Sequence, residues 1–135
     1  MVMQATDDLY SPVKNLHEDL NAVGVQLRSL TIADEGTTSS SIYIADAVPV
    51  RLDMPSSGAW EAANLTFQAS PDGTTWRDLY DKDGDQITIT GPDVDYSIAL
   101  NPAEFAYAGP YLRVVASAAQ TTGAKVLTLY IRRVL

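Results

Sequence analysis

The sequence predicts a mainly β protein, an antiparallel β-sandwich or jelly roll with one N-terminal α-helix. Apolar and polar residues alternate in several short segments between residues 48 and 131, which is the period of a half-buried strand. Clusters rich in Gly, Pro, Ser and Asp separate these segments, as they do in all-β domains. A helical period is found in one long segment, residues 11–23.

The helix is predicted over SPVKNLHEDLNAV, residues 11–23. Ser11 is a suitable N-cap, Pro12 fits the first helical position, and Gly24 ends the pattern. The apolar face consists of Val13, Leu16, Leu20 and Val23. We therefore divide the chain into an N-terminal arm and helix, residues 1–24, and a β-sandwich domain, residues 25–135.

Six strands follow from the alternation, and one helical turn interrupts them. The apolar faces of the strands are Val48, Val50 and Leu52; Leu65, Phe67 and Ala69; Ile87 and Ile89; Tyr96, Ile98 and Leu100; Leu112, Val114 and Ala116; and Leu127, Leu129 and Ile131. We expect Leu65, Phe67, Leu112, Val114, Leu127 and Leu129 to face the interior. In the segment NPAEF, Asn101 is the predicted cap of a single turn, with Pro102 at its first position and Glu104 three residues after the cap.

Composition restricts the possible functions. A chain of 135 residues with 46% hydrophobic content forms one domain with a real core. We expect no membrane span and no signal peptide, because there is neither a long apolar run nor a basic, then apolar, N-terminus. The absence of cysteine excludes disulfides, thiolate catalysis and cysteine-ligated zinc. A net charge of -8 argues against nucleic acid as a partner, because phosphates repel an acidic surface.

The segment DKDGD, residues 81–85, has the first three alternating aspartates of a calcium loop. Gln86 stands where that loop requires Gly, and Pro92 stands where it requires a bidentate Glu. The flanking alternation instead predicts the turn of a β-hairpin, with a weak cation site as the alternative.

Catalysis has no support in the sequence, and we expect a protein without enzymatic activity, cofactor or dedicated metal site. His17 is the single histidine and lies on the predicted helix between Leu16 and Glu18, so neither a histidine pair nor a triad is indicated. No serine lies in a G-x-S-x-G nucleophile elbow. Asn64-Leu65-Thr66 matches a glycosylation sequon, which we interpret as accidental because it lies in a predicted strand.

Aromatic residues suggest two interpretations. Most of them lie in strands or at strand ends, where aromatics normally fill the core, but a sugar-stacking platform is the alternative. The residues concerned are Trp60, Phe67, Trp76, Tyr80, Tyr96, Phe105, Tyr107, Tyr111 and Tyr130. Charge is also unevenly distributed, since Arg113, Lys125, Arg132 and Arg133 fall in the last third of the chain, and separated signs suit docking onto another protein.

Three segments of residues 58–135 form a distinctive set: GAWEAANLTFQASPDGTTWRDLYDKDGDQITI, ALNPAEFAYAGPYLRVVASA and the closing KVLTLYIRRVL. In these segments the chain resembles small β-sandwich virion proteins of tailed bacteriophages. These motifs are structural, and among such proteins the chain looks most like a capsid decoration or cement protein. The resemblance implies a position on the capsid exterior and the major capsid protein as partner. The symmetry of such an assembly favours self-association as a dimer or trimer.

Other functions remain open at this point. A neck, tail or head-fibre component would have the same motifs, and a carbohydrate-binding adhesion module would use the aromatics and DKDGD. Residues 1–23 lie outside the resemblance, and we expect them to mediate contact between subunits, because an amphipathic helix must bury its apolar face.

Overall fold

Nine strands and one short helix form the part of the chain that the structure, a computed structural model, describes: residues 24–106 and 108–133. The strands are β1 (Val25–Ile32), β2 (Ile42–Tyr43), β3 (Ala47–Asp53), β4 (Leu65–Ser70), β5 (Arg77–Asp78), β6 (Thr88–Ile89), β7 (Ser97–Ala99), β8 (Tyr111–Ala116) and β9 (Lys125–Arg133), and the helix is α1 (Pro102–Phe105). Within these ranges no helix is long and apolar enough to cross a membrane. The predicted helix at residues 11–23 lies outside the described residues.

The strands form two antiparallel sheets that pack against each other. Sheet I has the order β1-β9-β3-β7, and sheet II has the order β2-β8-β4-β5, with β6 pairing the same strand β4. Because β5 and β6 pair consecutive parts of β4, they are two pieces of one edge strand, interrupted by residues 81–85. Counted in this way, eight strands pass between the sheets in the order of a jelly roll, with β4 and the β5–β6 strand as the one consecutive pair within a sheet. This confirms the predicted antiparallel β-sandwich.

The core lies between the sheets and agrees with the sequence-based expectation. Leu65, Phe67, Leu112, Val114, Leu127 and Leu129 are all fully buried, with 0% of each residue exposed. Phe67 meets Phe105 of α1 edge to face, with ring centroids 4.9 Å apart. This helix begins as predicted, since the Asn101 side chain accepts a hydrogen bond from Ala103 N and Pro102 occupies the first turn. It places an aromatic side chain against the core.

Strand β3 departs from the predicted alternation. Val48 and Val50 were expected to face inward with Leu52, but Pro49 is the buried residue and both valines are only partly buried. The pairing explains the change, because Arg51 lies opposite Tyr130 whereas Pro49 lies opposite Ile131. Val50 is therefore the extra residue of a β-bulge, and a bulge exchanges the two faces of a strand.

Two further strand predictions require correction. Strand β1 pairs with β9 along eight residues although no strand was predicted there. Tyr96 was predicted to continue an inward-facing strand, but β7 begins at Ser97 and Tyr96 is 53% exposed.

The connections divide between the two ends of the sandwich. The loop end consists of residues 33–41, 54–64, 90–96 and 117–124, which follow or precede paired strand ends. The terminal end consists of residues 44–46, 71–76 and 100–110, together with the start of β1 and the end of β9. Chain segments far apart in sequence therefore meet at each end.

Candidate functional site

The DKDGD segment forms a hairpin turn. Tyr80 bridges to Gln86, and Asp81 N donates to Asp85 O at 2.8 Å. One carboxylate oxygen of Asp81 accepts the backbone N–H groups of Asp83 and Asp85, at 2.9 and 3.0 Å. Gly84, with φ 88°, supplies the left-handed residue that the turn requires. The structure thus confirms the turn, and within the described ranges no cluster of three potential metal ligands is found.

Replacing Asp81, Asp83 and Asp85 together with Asn is expected to change the free energy of unfolding by less than about 1 kcal/mol, because the turn is exposed and Asn retains an acceptor oxygen. Thermal melts with and without calcium measure this. A melting temperature of the unmodified protein that rises with calcium, and no longer rises in the variant, would support the cation-site alternative.

The preceding turn, SPDGTT, is held by Asp72. Its Oδ1 atom accepts the backbone N–H groups of Thr75 and Thr74 at 2.8 and 2.9 Å and the hydroxyl of Ser70 at 3.0 Å. These hydrogen bonds, those from Thr75 and Thr74 first, hold the pKa of Asp72 well below its usual range. The pKa of Asp72 is therefore lower in the folded protein than in the unfolded protein. These hydrogen bonds contribute their full stabilisation at a pH above the unfolded-state pKa, and the contribution is lost as the pH falls through the folded-state pKa.

A buried polar cluster joins three loops at the loop end. Gln120 is fully buried, and its side chain accepts from Glu61 N at 3.1 Å and donates to Glu61 O at 3.2 Å. Its backbone accepts from Glu35 N and donates to Gly36 O. Gln120 therefore satisfies backbone groups of both neighbouring loops, which is what a buried amide must do to be tolerated.

Glu61 and Lys125 extend this cluster. Lys125 Nζ donates to Thr122 Oγ1 and Gly123 O, both at 2.9 Å, and lies 3.7 Å from Glu61 Oε1. Burial raises the pKa of Glu61, but hydrogen bonds from Thr122 and Thr121 outweigh it, so the pKa is lowered. The groups pair with one another, which indicates a structural role in fixing the loops.

The aromatic residues divide between core and surface. Trp60, Phe67 and Phe105 are buried, as predicted, whereas Tyr80 and Tyr96 are exposed. Two of the half-buried rings make cation–π contacts with arginine. The guanidinium of Arg113 lies 4.1 Å from the ring centroid of Trp76, and that of Arg51 lies 4.4 Å from the ring centroid of Tyr130. Tyr111 packs edge-on against Tyr43, a residue that was not in the set of aromatics considered from the sequence. Tyr107 lies outside the described residues.

A cleft of about 450 Å³ opens at the loop end beside Tyr96. It is lined by Trp60, Ala62, Ala63, Asn64, Gly91, Pro92, Asp93, Tyr96 and Ser117. Asn64, the sequon residue, lies just before β4 rather than inside a strand, and its Oδ1 accepts from Gly91 N at 2.9 Å. Three separate loops thus contribute to one concave surface.

A second feature lies at the terminal end, where β1 is an edge strand. Val25 and Leu27 are 37% and 57% exposed and lie opposite Arg132 and Tyr130 of β9, on the outer face of sheet I. Arg28 donates to the free-edge carbonyl of Leu27 at 3.1 Å. We call Val25, Leu27, Arg28, Arg132 and Arg133 the terminal corner. Arg132 shares the outer face with Val25 and Leu27, whereas Arg28 and Arg133 lie on the other face, where Arg133 pairs with Asp46 at 3.4 Å. The outer face of the corner combines exposed apolar side chains with positive charge in an acidic protein.

The hydrogen bonds of Thr31 show which backbone N–H and C=O groups of β1 point to the free edge of sheet I. It donates from N to Ser40 Oγ and accepts from Ser40 N, so its N–H and C=O point away from β9. By the two-residue period, those of Val25, Leu27 and Ser29 point the same way. Segment 38–40 covers the far end of the edge, while no described strand pairs with residues 25–29 on this side.

Comparison with protein-family models, curated proteins and solved structures found no match. His17 lies outside the described residues. A functional interpretation therefore depends on the cleft, the terminal corner and the resemblance.

Proposed function

We propose that this chain is a structural virion protein of a tailed bacteriophage, a capsid decoration or cement protein that binds the outside of the major capsid shell. The proposal is supported by the resemblance of residues 58–135 to small phage virion proteins. The residues that carry the resemblance supply Trp60, β4, α1, β8 and β9, which are the framework of the sandwich. A stiff framework suits a protein whose role is to brace others.

The observation that carries the assembly proposal is the terminal corner. Residues 1–23 join the sandwich at Gly24, directly beside it, and contain four acidic residues and one basic residue. Their apolar side chains Val13, Leu16 and Leu20 need a surface to cover them. The exposed Val25 and Leu27 supply apolar contact, and Arg132 on the same face supplies the opposite charge.

In this proposal residues 1–23 of one copy bind the terminal corner of a neighbouring copy, giving a dimer or trimer. Each copy then makes weak contacts with the major capsid protein. Because the oligomer makes several of these contacts at once, it binds the capsid much more tightly than a single copy does. The net charge of -8 favours the exterior of the shell over its DNA-lined interior. No nucleic acid, membrane or cofactor is required.

Deleting residues 1–23 is expected to dissociate the oligomer and to weaken binding to particles that lack the protein by at least about tenfold, through loss of multivalency. The double variant Leu27→Asp, Arg132→Glu in the full chain is expected to have the same effect. Light scattering after gel filtration and sedimentation with particles measure the two properties.

Arg77→Glu is the matched control, because Arg77 is also an exposed strand arginine but lies on the edge of sheet II. If the truncated protein binds such particles with unchanged affinity, residues 1–23 do not mediate attachment. Copy number separates the related roles, since a cement protein approaches the stoichiometry of the major capsid protein whereas a neck or tail component is present in few copies.

A further inference from the structure

Tyr96 is an exposed aromatic side chain on an unusually constrained backbone. The preceding residue, Asp95, has φ 66°, a left-handed conformation that is uncommon for a residue with a side chain. Asp95 N donates to Pro55 O at 2.7 Å, and Tyr96 O accepts from Met54 N at 2.8 Å. This backbone holds a 53% exposed ring beside the cleft of the loop end.

The polar groups that line this cleft have hydrogen-bonding capacity to spare. Asn64 Oδ1 accepts a hydrogen bond from Gly91 N, which fixes the orientation of the amide. Its Nδ2 group has no partner among the described residues. Ser117 Oγ accepts from Asn64 N at 2.8 Å, and its own proton is still available for donation. Asp93 Oδ1 accepts from Val94 N at 2.7 Å, which leaves Oδ2 free within the described part of the chain.

We propose that this cleft binds a neutral carbohydrate, with the ring of Tyr96 against the apolar face of a pyranose. A sugar ring presents C–H groups on one face and hydroxyls around its edge. Tyr96 and the small exposed part of Trp60 match the face of the sugar, and the amide donor, hydroxyl donor and carboxylate acceptor match its edge. The volume of the cleft lies in the range of about 300–1,000 Å³ that small-molecule sites occupy.

The charge of the cleft restricts the ligand further. Asp93 lines it, Asp95 adjoins it, and neither Lys nor Arg is among the described residues of the lining. Acidic sugars and phosphates are therefore repelled, so the ligand is a neutral hexose or N-acetylhexosamine unit. The DKDGD turn is not part of the lining, and binding does not require calcium.

Tyr96 is preferred over the two other exposed tyrosines of the described residues, Tyr43 and Tyr80, for physical reasons. Tyr43 already packs edge-on against Tyr111. Tyr80 lies beside a second cleft, whose other described lining residues are the exposed turn residues Asp81 to Asp83 and the start of α1. None of these described residues is aromatic. Tyr80 is also 53% exposed, so it is a matched control for Tyr96.

The test uses the full chain carrying Trp76→Phe, which leaves Trp60 of the cleft as its single tryptophan. Methyl glycosides of glucose, galactose, mannose and N-acetylglucosamine are titrated to about 10 mM, which covers millimolar affinity, and a neutral-glycan array extends the search. We expect a saturable change in Trp60 fluorescence with at least one sugar, unaffected by chelator. Tyr96→Ala and Asp93→Ala are each expected to weaken binding about tenfold or more.

Tyr96→Phe retains the ring and is expected to preserve binding, and Tyr80→Ala is expected to leave it unchanged. Absence of a saturable response to every monosaccharide and every array glycan would overturn the proposal. Binding that survives Tyr96→Ala, or that is lost in Tyr80→Ala, would also overturn it, because the sugar would then occupy another surface. Circular dichroism of each variant verifies the fold.

Discussion

Phe67→Ala is expected to lower the free energy of unfolding by about 3–5 kcal/mol, the usual cost of truncating a fully buried phenylalanine. Phe67 has no exposed surface, and it lies in the middle of β4 between β8 and the β5–β6 edge. Its ring also meets Phe105 edge to face. The variant therefore loses apolar burial and an aromatic contact, and it leaves a cavity between the sheets.

Thr66→Ser is the control for this variant, because Thr66 is the neighbouring residue on the opposite face of β4 and loses only a methyl group. Urea denaturation of both variants measures the difference. An unfolding midpoint of Phe67→Ala equal to that of Thr66→Ser would show that the face of β4 has been assigned wrongly.

The sequence predicted the central strands because their alternation is undisturbed. In β4, β8 and β9 apolar residues recur at every second position, and each of these strands has one face on the core and one face outside. Such a pattern specifies both the strand and its orientation. The inward-facing residues Leu112, Val114, Leu127 and Leu129 could therefore be named without knowledge of their partners.

Strand β1 was missed because its apolar period changes phase. Val25 and Leu27 are odd-numbered and face outward, whereas Leu30 and Ile32 are even-numbered and buried. No single face is apolar along the whole strand, so a search for alternation does not find it. The bulge at Val50 in β3 was unpredictable for a related reason, because it depends on the register against Tyr130 and Ile131, about eighty residues away.

The cleft could not be read from the sequence either. Asn64, Tyr96 and Ser117 come from three different loops, and only the jelly-roll connections bring those loops to the same end. Tyr96 even appeared to belong to the core, since it precedes Ile98 and Leu100 at the spacing of a strand. The left-handed backbone of Asp95, which precedes Tyr96, leaves no signal in a pattern of polar and apolar residues.

The loop end is also where a polar residue is expected to matter most for stability. Gln120→Ala is expected to lower the free energy of unfolding by about 2–4 kcal/mol, because buried polar groups that lose their partners cost about 1–3 kcal/mol each. The groups concerned are the N–H and C=O of Glu61, both bound by the Gln120 side chain. Chemical denaturation of the purified variant measures the loss.

Two further variants separate hydrogen bonding from packing. Gln68→Ala removes the same side chain from the outer face of sheet II, where its bonds to Asp78 and Arg113 are partly solvated, and is expected to cost less than about 1 kcal/mol. Gln120→Met keeps most of the volume but cannot donate to Glu61 O, so it should remain destabilised. If Gln120→Met instead unfolds at the midpoint of the unmodified protein, packing rather than hydrogen bonding holds these loops together. The cleft beside them would then not depend on Gln120 for its shape.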